Sequence, residues 1–226
     1  MTADQRWQGK LWLAGDYCVV AGLAGKTRSH AHYPHQLLIA CEGMVEAVID
    51  GKPERGAVVA IESGREHEIF ASGKPMVSLF AEPLAFELAV LRQICEDNGP
   101  DPKALLQRLD DTPRRPLQPR VSKALQRIRE LDETALPAAE LAAESALFLS
   151  QLERLFSGEL GASVRRLVLW QRLRYALQLA LSGDSLTTAA ATAGFADSAH
   201  LSRCMRRYFG IRADHTLRHL NLRVVG

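Results

Sequence analysis

The sequence predicts an α+β protein in which a small β domain precedes an all-helical domain. Three observations indicate this fold class. Short apolar segments separated by glycines occupy residues 11–82, a pattern typical of a β-sandwich or β-barrel. From residue 121 onward, apolar residues recur every three or four positions, the period of amphipathic helices. Between the two regions lie Pro113, Pro116 and Pro119, which favour an extended linker.

The composition restricts the class of protein. The 226 residues are 47% hydrophobic and 24% charged, as in a globular protein, which excludes wholesale disorder. No apolar run approaches the roughly 20 residues of a membrane helix, and the polar residues 1–10 do not resemble a secretory signal. The four cysteines form no C-x-x-C pair, which disfavours a disulfide framework and a zinc knuckle. We therefore expect no membrane partner and a cytoplasmic location.

The first region divides into strands and then helices. Candidate strands cover residues 37–41, 45–49, 57–61 and 76–80, with glycines between them. Helical spacing begins after Leu84 and stops at Asn98-Gly-Pro, and a second short helix covers about 102–109. We assign residues 1–83 to a sensor domain and 84–111 to a helical segment. That segment either packs on its own domain or pairs with a second copy in a homodimer.

The second region is predicted to be entirely helical. Residues 112–120 form the linker, and residues 121–226 form the helical domain. Ser163 is a candidate N-cap for a long helix that ends just before Gly183. Two close helical pairs flank this helix, at 136–145 with 150–158 and at 185–193 with 198–209.

The two helical pairs resemble each other. At an offset of 49 residues, the matching pairs are Leu152 with Leu201, Arg154 with Arg203, Phe156 with Met205, and Gly161 with Gly210. Before the turn, Leu147 matches Phe195 at an offset of 48. The alanine-rich first helix of each pair allows close helix crossing, so the repeat predicts two helix-turn-helix units.

The charge of the two halves differs in sign. Residues 113–226 hold 17 Lys and Arg against 10 Asp and Glu, a net charge of +7, and only Lys123 is a lysine. Residues 1–112 hold 11 against 16, a net charge of −5. An arginine-rich helical half indicates a polyanionic partner such as DNA, although an ordinary solvated surface would have a similar composition.

The second helical pair resembles the AraC/XylS family of bacterial transcription regulators. The matching residues are Ala-Gly-Phe-Ala-Asp-Ser-Ala-His-Leu-Ser-Arg-Cys-Met-Arg-Arg-Tyr-Phe-Gly at 193–210 and Trp-Gln-Arg-Leu-Arg-Tyr-Ala at 170–176. The resemblance covers about residues 121–218. It implies two recognition helices that enter successive major grooves of double-stranded DNA, about 34 Å apart. It also makes RNA polymerase a candidate partner.

The same resemblance implies which side chains contact DNA. The first recognition helix presents Ser150, Gln151, Glu153, Arg154 and Ser157, and the second presents Ser198, Ala199, His200, Ser202 and Arg203. Arg206 and Arg207 are expected to contact phosphates. The chain departs from the family at Ala146, where glycine is usual, at Phe148, where a capping serine is usual, and at Ala213, where proline is usual.

A group of histidines marks the acidic half. If His30 and His32 lie on one strand, both imidazoles share a face, as a metal site requires. With Gln36 and His67, they resemble the two histidine motifs of cupins, which implies a cupin-like β-barrel sensor. Three interpretations stay open for these four residues: a divalent metal site, a pocket for a small effector, or surface hydrogen bonding.

Two functions of different class compete. The first is a sequence-specific transcription regulator that responds to a small effector or a metal through its N-terminal domain. The alternative is a metal-dependent cupin enzyme with a helical appendage. The internal repeat and the charge split favour the regulator. No general base or substrate motif accompanies the histidines, so we expect no catalytic residues.

Overall fold

The computed structural model describes residues 8–23, 25–70, 73–129, 138–159, 163–209 and 220–224. Its strands are β1 (Gln8–Leu13), β2 (Tyr17–Leu23), β3 (His35–Ala40), β4 (Val45–Ile49), β5 (Lys52–Gly56), β6 (Val58–Ile61), β7 (His67–Ile69), β8 (Pro75–Ala81) and β9 (Leu220–Val224). Its helices are α1 (Leu88–Asn98), α2 (Pro102–Asp111), α3 (Pro119–Arg129), α4 (Ala138–Glu144), α5 (Leu149–Glu159), α6 (Val164–Leu181), α7 (Leu186–Thr192) and α8 (Ser198–Phe209). The predicted α+β class is confirmed, with a sheet-rich region before a helical one.

The chain forms two compact units. The first contains Met1–Arg114 and Ser202–Gly226, and the second contains Arg115–Leu201. The boundary after Arg114 lies within the proline-rich segment that the sequence analysis assigned to a linker. The second boundary lies inside α8, whose residues from Ser202 onward belong to the first unit.

The first unit is built on two β-sheets. One has six strands in the order β6-β3-β8-β2-β1-β9, and the other has three in the order β5-β4-β7. Side chains alternate along β3, so Leu37 and Ile39 enter one apolar cluster and Leu38 enters the other. The first cluster also contains residues of α1 and α2, while the second contains Ala47 of β4 and Ile69 of β7. Strand β3 is therefore buried on both faces, and Gln36 shares a face with Leu38.

The predicted barrel is wrong, because the strands form two open sheets. In the described residues, the six-stranded sheet ends at β6 on one edge and at β9 on the other. Helices α1 and α2 cover the face of this sheet that carries Leu37 and Ile39, through Leu91, Ile94, Leu105 and Leu109. The opposite face, which carries Leu38, packs on the three-stranded sheet, so the six-stranded sheet is buried between two separate layers rather than by closing on itself.

The prediction of an entirely helical second region also needs a correction. Strand β9 pairs in parallel with β1, with Leu220 opposite Gly9 and Val224 opposite Leu13. This pairing joins residues more than two hundred positions apart in the sequence. Local periodicity carries no information about such a partner, and for this reason the strand was not predicted.

A polar cluster holds the end of α2 and the start of the linker against β2. The Tyr17 hydroxyl donates to the Asp110 carboxylate at 2.7 Å. The Arg114 guanidinium contacts both carboxylate oxygens of Asp16, at 2.8 and 3.2 Å, and lies 4.4 Å from the centre of the Phe86 ring. A bidentate, part-buried pair of this kind fixes the place at which the chain leaves the first unit.

The helices of the second unit begin and end close to the predicted positions. Ser163 caps α6 by accepting the backbone N–H of Arg166, and Ser185 caps α7 by accepting that of Thr188. Pro119 occupies the first position of α3, where its missing N–H has no cost. In the described residues, no helix is both long enough and apolar enough to cross a membrane.

Candidate functional site

The structure brings His30, His32, Gln36 and His67 together inside the first unit. The centres of the three imidazole rings lie 4.1 to 5.5 Å apart, and one potential ligand atom from each ring lies within 4.8 Å of the others. All four side chains are buried, with Gln36 only 1% exposed. Their burial contradicts the interpretation as surface hydrogen-bonding groups.

A backbone pairing, rather than a shared strand, positions the rings. His30 and His67 form an isolated antiparallel bridge, with N–H to O distances of 3.0 and 2.8 Å. The expectation that His30 and His32 lie on one strand is wrong, because β3 begins only at His35. His32 lies in the preceding loop, and its carbonyl accepts the N–H of Gly64 at 2.9 Å. A contact distant in sequence therefore assembles the cluster.

Each imidazole uses its Nδ1 atom to contact a backbone carbonyl oxygen. His30 contacts Arg28 at 2.7 Å, His32 contacts Pro34 at 2.9 Å, and His67 contacts Arg65 at 2.9 Å. A carbonyl oxygen only accepts hydrogen bonds, so each Nδ1 must carry the proton. The Nε2 atom of each neutral ring then has a free lone pair. This arrangement is typical of histidines that bind metals through Nε2.

The Gln36 carboxamide lies where two of these lone pairs meet. Its Oε1 is 3.0 Å from Nε2 of His32 and 3.0 Å from Nε2 of His67. Three acceptors cannot face one another without a hydrogen or a cation between them. Either the carboxamide turns over and its NH₂ group donates to both rings, or a cation binds to all of them.

The donor set fits a divalent cation of the late first transition series. Three imidazole nitrogens and one amide oxygen suit Zn²⁺, Ni²⁺ or Co²⁺ better than Ca²⁺ or Mg²⁺, which prefer oxygen ligands. Because Zn–N bonds are about 2.1 Å long, two ligands lie at most about 4.2 Å apart across the ion. Nitrogen atoms up to 4.8 Å apart need only a small inward rotation of the rings.

Burial keeps the imidazoles neutral. Burial, with a smaller contribution from the neighbouring His67, lowers the pKa of His30 to about 4 and that of His32 to about 3. The pKa of His67 is lowered too, mainly by burial. At neutral pH all three rings are therefore unprotonated, the state that binds metals.

Aromatic rings cover one side of the cluster. The centre of the His32 ring lies 5.5 Å from that of the Phe80 ring and 6.3 Å from that of the ring of Phe209, the last residue of α8.

His35 lies on the opposite face of β3 from Gln36, and its Nδ1 accepts the backbone N–H of Ser63 at 3.0 Å. His35 is buried but is not part of the cluster.

The second helix-turn-helix makes its turn at Gly194. Gly194 adopts a left-handed conformation with φ of 75°, and the Phe195 side chain is buried beyond it. The Asp197 carboxylate then accepts the backbone N–H of His200, which caps α8. The Arg172 guanidinium lies 3.3 Å from the position that a Cβ atom on Gly194 would occupy.

The first helix-turn-helix reaches the same turn with different residues. Ala146, at the position equivalent to Gly194, also adopts a positive φ, of 54°. Phe148 has no capping hydroxyl, and its backbone N–H instead donates to the side chain of Gln151 at 3.0 Å. Gln151 therefore has a structural role besides its predicted contact with DNA. Gly161, Gly210 and Ala213 lie outside the described residues.

The predicted base-reading residues lie on the exposed sides of α5 and α8. Of the predicted set, the exposed residues are Ser150, Glu153, Arg154, Ser157, Ala199, Arg203, Arg206 and Arg207, while Gln151, Ser198, His200 and Ser202 are half-buried. The matched positions Leu152 and Leu201 are buried, as are Phe156 and Met205. The repeat thus places equivalent arginines outward and equivalent apolar residues inward in both helices.

Gly194 offers a test of the turn. We expect Gly194→Ala to lower the free energy of unfolding by about 1–2 kcal/mol, because a β-carbon disfavours positive φ and would press on Arg172. Chemical denaturation measures the change. Ala146→Gly is the matched control, since it relieves the same backbone conformation in the first helix-turn-helix and should not destabilise the protein. Equal destabilisation by both substitutions would contradict this account.

The backbone and side-chain groups that orient the residues of these sites could not be identified from the sequence. The carbonyl oxygens of Arg28, Pro34 and Arg65 orient the imidazoles, and Arg172 packs on the turn of the second motif. Backbone carbonyls carry no residue-specific signal. Arg172 could have been noticed only as an arginine within the family-like segment 170–176.

The chain is similar in sequence to one protein family and in fold to several solved structures. Residues 141–219 match a family model described as a helix-turn-helix domain. Comparison with curated proteins gives no match. An apo variant of ToxT from Vibrio cholerae has 11% identity and a TM-score of 0.60, over 91% of this chain and 98% of that chain.

Two further structures extend the comparison. Wild-type ToxT from Vibrio cholerae with an unsaturated fatty acid bound has 13% identity and a TM-score of 0.58, over 91% of this chain and 96% of that chain. A transcriptional regulator from Chromobacterium violaceum, described as containing an AraC-type DNA-binding domain, has 29% identity and a TM-score of 0.41. That match covers 42% of this chain and 86% of the other. The chain therefore shares the ToxT fold and contains a helix-turn-helix domain.

Proposed function

We propose that this chain, a member of the AraC/XylS family, binds specific sequences of double-stranded DNA and regulates transcription in response to a signal bound by its N-terminal region. One observation carries the proposal: two repeated helix-turn-helix units expose equivalent arginines, Arg154 and Arg203, above equivalent buried leucines. Arginine on the outer face of such a helix suits guanine or phosphate. In a bacterium this activity belongs to the cytoplasm, which holds the DNA.

The other residues that are predicted to contact DNA fall into two groups, those suited to base edges and those suited to phosphates. Ser150, Ser198 and Ser202 are short and polar near the helix starts, where base edges are reached in the major groove. Arg206 and Arg207 lie one to two turns further along α8, exposed, and are assigned to phosphates. The charge of +7 on residues 113–226 supports this assignment, because a basic surface attracts DNA regardless of its sequence.

For the signal, we propose a divalent metal held by His30, His32, His67 and Gln36. The neutral imidazoles with oriented Nε2 lone pairs support this choice. A bound ion would supply the positive charge that the facing acceptors, Oε1 of Gln36 and Nε2 of His32 and His67, lack. The four side chains, for their part, hold it between the loop before β3, β3 itself and β7.

A small organic effector is the second version of the signal. ToxT has been solved with an unsaturated fatty acid bound, so a protein of the same fold holds an apolar acid. In that version Gln36 donates its NH₂ group to His32 and His67, and the cluster borders a pocket. Homodimerisation through residues 84–111 and contact with RNA polymerase stay predictions, as do the boundaries proposed for residues 1–83, 112–120 and 121–226.

The metal-dependent enzyme remains the competing function because of the histidine cluster. A three-histidine site can activate water as well as sense metal. A regulator binds duplex DNA and turns over no substrate, while the enzyme does the opposite, so one DNA-binding experiment separates the two.

Selection of binding sites from random duplex DNA tests the proposal. We expect the full chain to select one sequence, with affinity falling at least about a hundredfold between about 50 and about 200 mM salt, as roughly four phosphate contacts would produce. Repeating the selection with a metal chelator, and with added Zn²⁺ or Ni²⁺, measures the response to metal. Absence of salt-sensitive DNA binding under all these conditions would overturn the proposed function.

A further inference from the structure

A groove in the second unit lies between α5, α6 and α8. Its volume is about 620 Å³, and the residues of α6 that line it include Arg165 and Arg172. These two arginines are seven positions apart, so they lie on one face of the helix, about 10 Å apart along its axis.

Three of the residues predicted to contact DNA also line this groove. Glu153 and Ser157 of the first recognition helix and His200 of the second line the same groove as Arg165 and Arg172. One side of α6 therefore faces in the same direction as the residues assigned to the two major grooves. Between successive major grooves on one face of a duplex lies a minor groove with a sugar-phosphate backbone on each side.

The charges in the groove suit those backbones. Arg165 is exposed and Arg172 is half-buried, with its guanidinium lying against the Gly194 turn. Arginine stays protonated at any physiological pH and binds phosphate oxygens through paired N–H groups. One acid, Glu153, lines the α5 side, where a cytosine amino group is its natural partner. An axial separation of about 10 Å is larger than the spacing between neighbouring phosphates, so the two arginines address different phosphates.

We infer that α6 is a third DNA-contacting element, in which Arg165 and Arg172 bind phosphates of the backbone that runs between the two major grooves. The inference rests on the proposed function, since it requires both recognition helices to lie on one duplex. These contacts set the position of the two helix-turn-helix units along the DNA, and they do not contribute to recognition of the base sequence.

The test compares single variants of the full chain in salt titrations. Two duplexes are used, the selected site and an unrelated sequence. We expect Arg165→Ala and Arg172→Ala each to weaken binding to both duplexes by the same factor, and to reduce the slope of log affinity against log salt by about 0.9. Arg166→Ala is the matched control, because Arg166 is adjacent on α6 but does not line the groove, and it should leave the slope unchanged.

A second variant distinguishes the loss of a phosphate contact from damage to the fold. Arg172→Lys keeps the charge but not the planar contact with Gly194, so it should retain the wild-type salt slope even if its melting temperature falls. The inference would be overturned if both alanine variants kept the wild-type slope of log affinity against log salt. It would also be overturned if either variant lost only its preference for one base pair of the selected site. Both results leave the proposed function intact. Failure of the wild-type chain itself to bind DNA would overturn the proposed function instead.

Discussion

Replacing His32 by alanine is expected to abolish metal binding at the histidine cluster. The variant removes one of three imidazoles whose Nε2 atoms face a common centre. Substitutions of groups that only orient metal ligands typically cost 10–100-fold in affinity, so loss of a ligand should cost more than about a hundredfold. In the wild type, Zn²⁺ at about a hundred times Kd should raise the melting temperature by about 5–10 °C. The His32→Ala variant should show no such rise.

His35→Ala is the matched control for that experiment. His35 is also buried and lies three residues away, but it faces away from the cluster, so its loss should leave the response to metal intact. The Gln36→Glu variant provides a second test of metal binding. A buried carboxylate destabilises the metal-free protein but binds a cation more strongly than an amide does, so the metal-induced rise should exceed that of the wild type. A wild-type melting temperature insensitive to Zn²⁺, Ni²⁺ and Co²⁺ would reject the metal and leave the effector version.

Arg203→Ala is expected to weaken binding to the selected DNA site about tenfold or more. Arginine contacting guanine through two hydrogen bonds contributes roughly 1–3 kcal/mol of discrimination, and about 1.4 kcal/mol corresponds to one decade of affinity. The structure argues against a buried structural role, because Arg203 is exposed while the Asp197 carboxylate caps α8 through His200. The melting temperature of the variant should therefore match that of the wild type.

Arg206→Ala separates base reading from phosphate contact. Arg206 is exposed on the same helix and is assigned to a phosphate, so its loss should weaken selected and unrelated duplexes equally. Arg203→Ala should instead relax the preference at one base pair and leave binding to unrelated DNA nearly unchanged. If the Arg203→Ala variant has the wild-type melting temperature and the wild-type affinity for the selected site, the role assigned to Arg203 is wrong.

The helices of this protein follow from local chemistry, and the sequence predicts them closely. The serine cap that the sequence predicts at Ser163 is present, and Ser185 caps α7 in the same way. The inward positions Leu152 and Leu201 are buried, as the internal repeat requires. A helix satisfies its hydrogen bonds within one segment, so periodicity and capping residues are sufficient to locate it.

The strands and the sheet arrangement depend on partners far away in the chain. Strands β3, β4, β6 and β8 have apolar patterns that the sequence reveals, but β5 reads Lys-Pro-Glu-Arg-Gly and carries no such pattern. Strand β9 exists as a strand through its pairing with β1. The six-stranded sheet is buried by α1 and α2 on one face and by the three-stranded sheet on the other, an arrangement that depends on contacts between distant segments.

By itself, the sequence determined the two helix-turn-helix units, their outward arginines and the identity of the histidine group, because spacing and residue type are local properties. The tertiary structure decided what the histidines are able to do. The bridge between His30 and His67 brings the rings together, and backbone carbonyls orient the Nε2 atoms of His32 and His67 toward Gln36. It also placed Arg165 and Arg172 in one groove with residues of both recognition helices. Ring orientation and grooves arise from packing between segments distant in sequence, and no motif spacing encodes them.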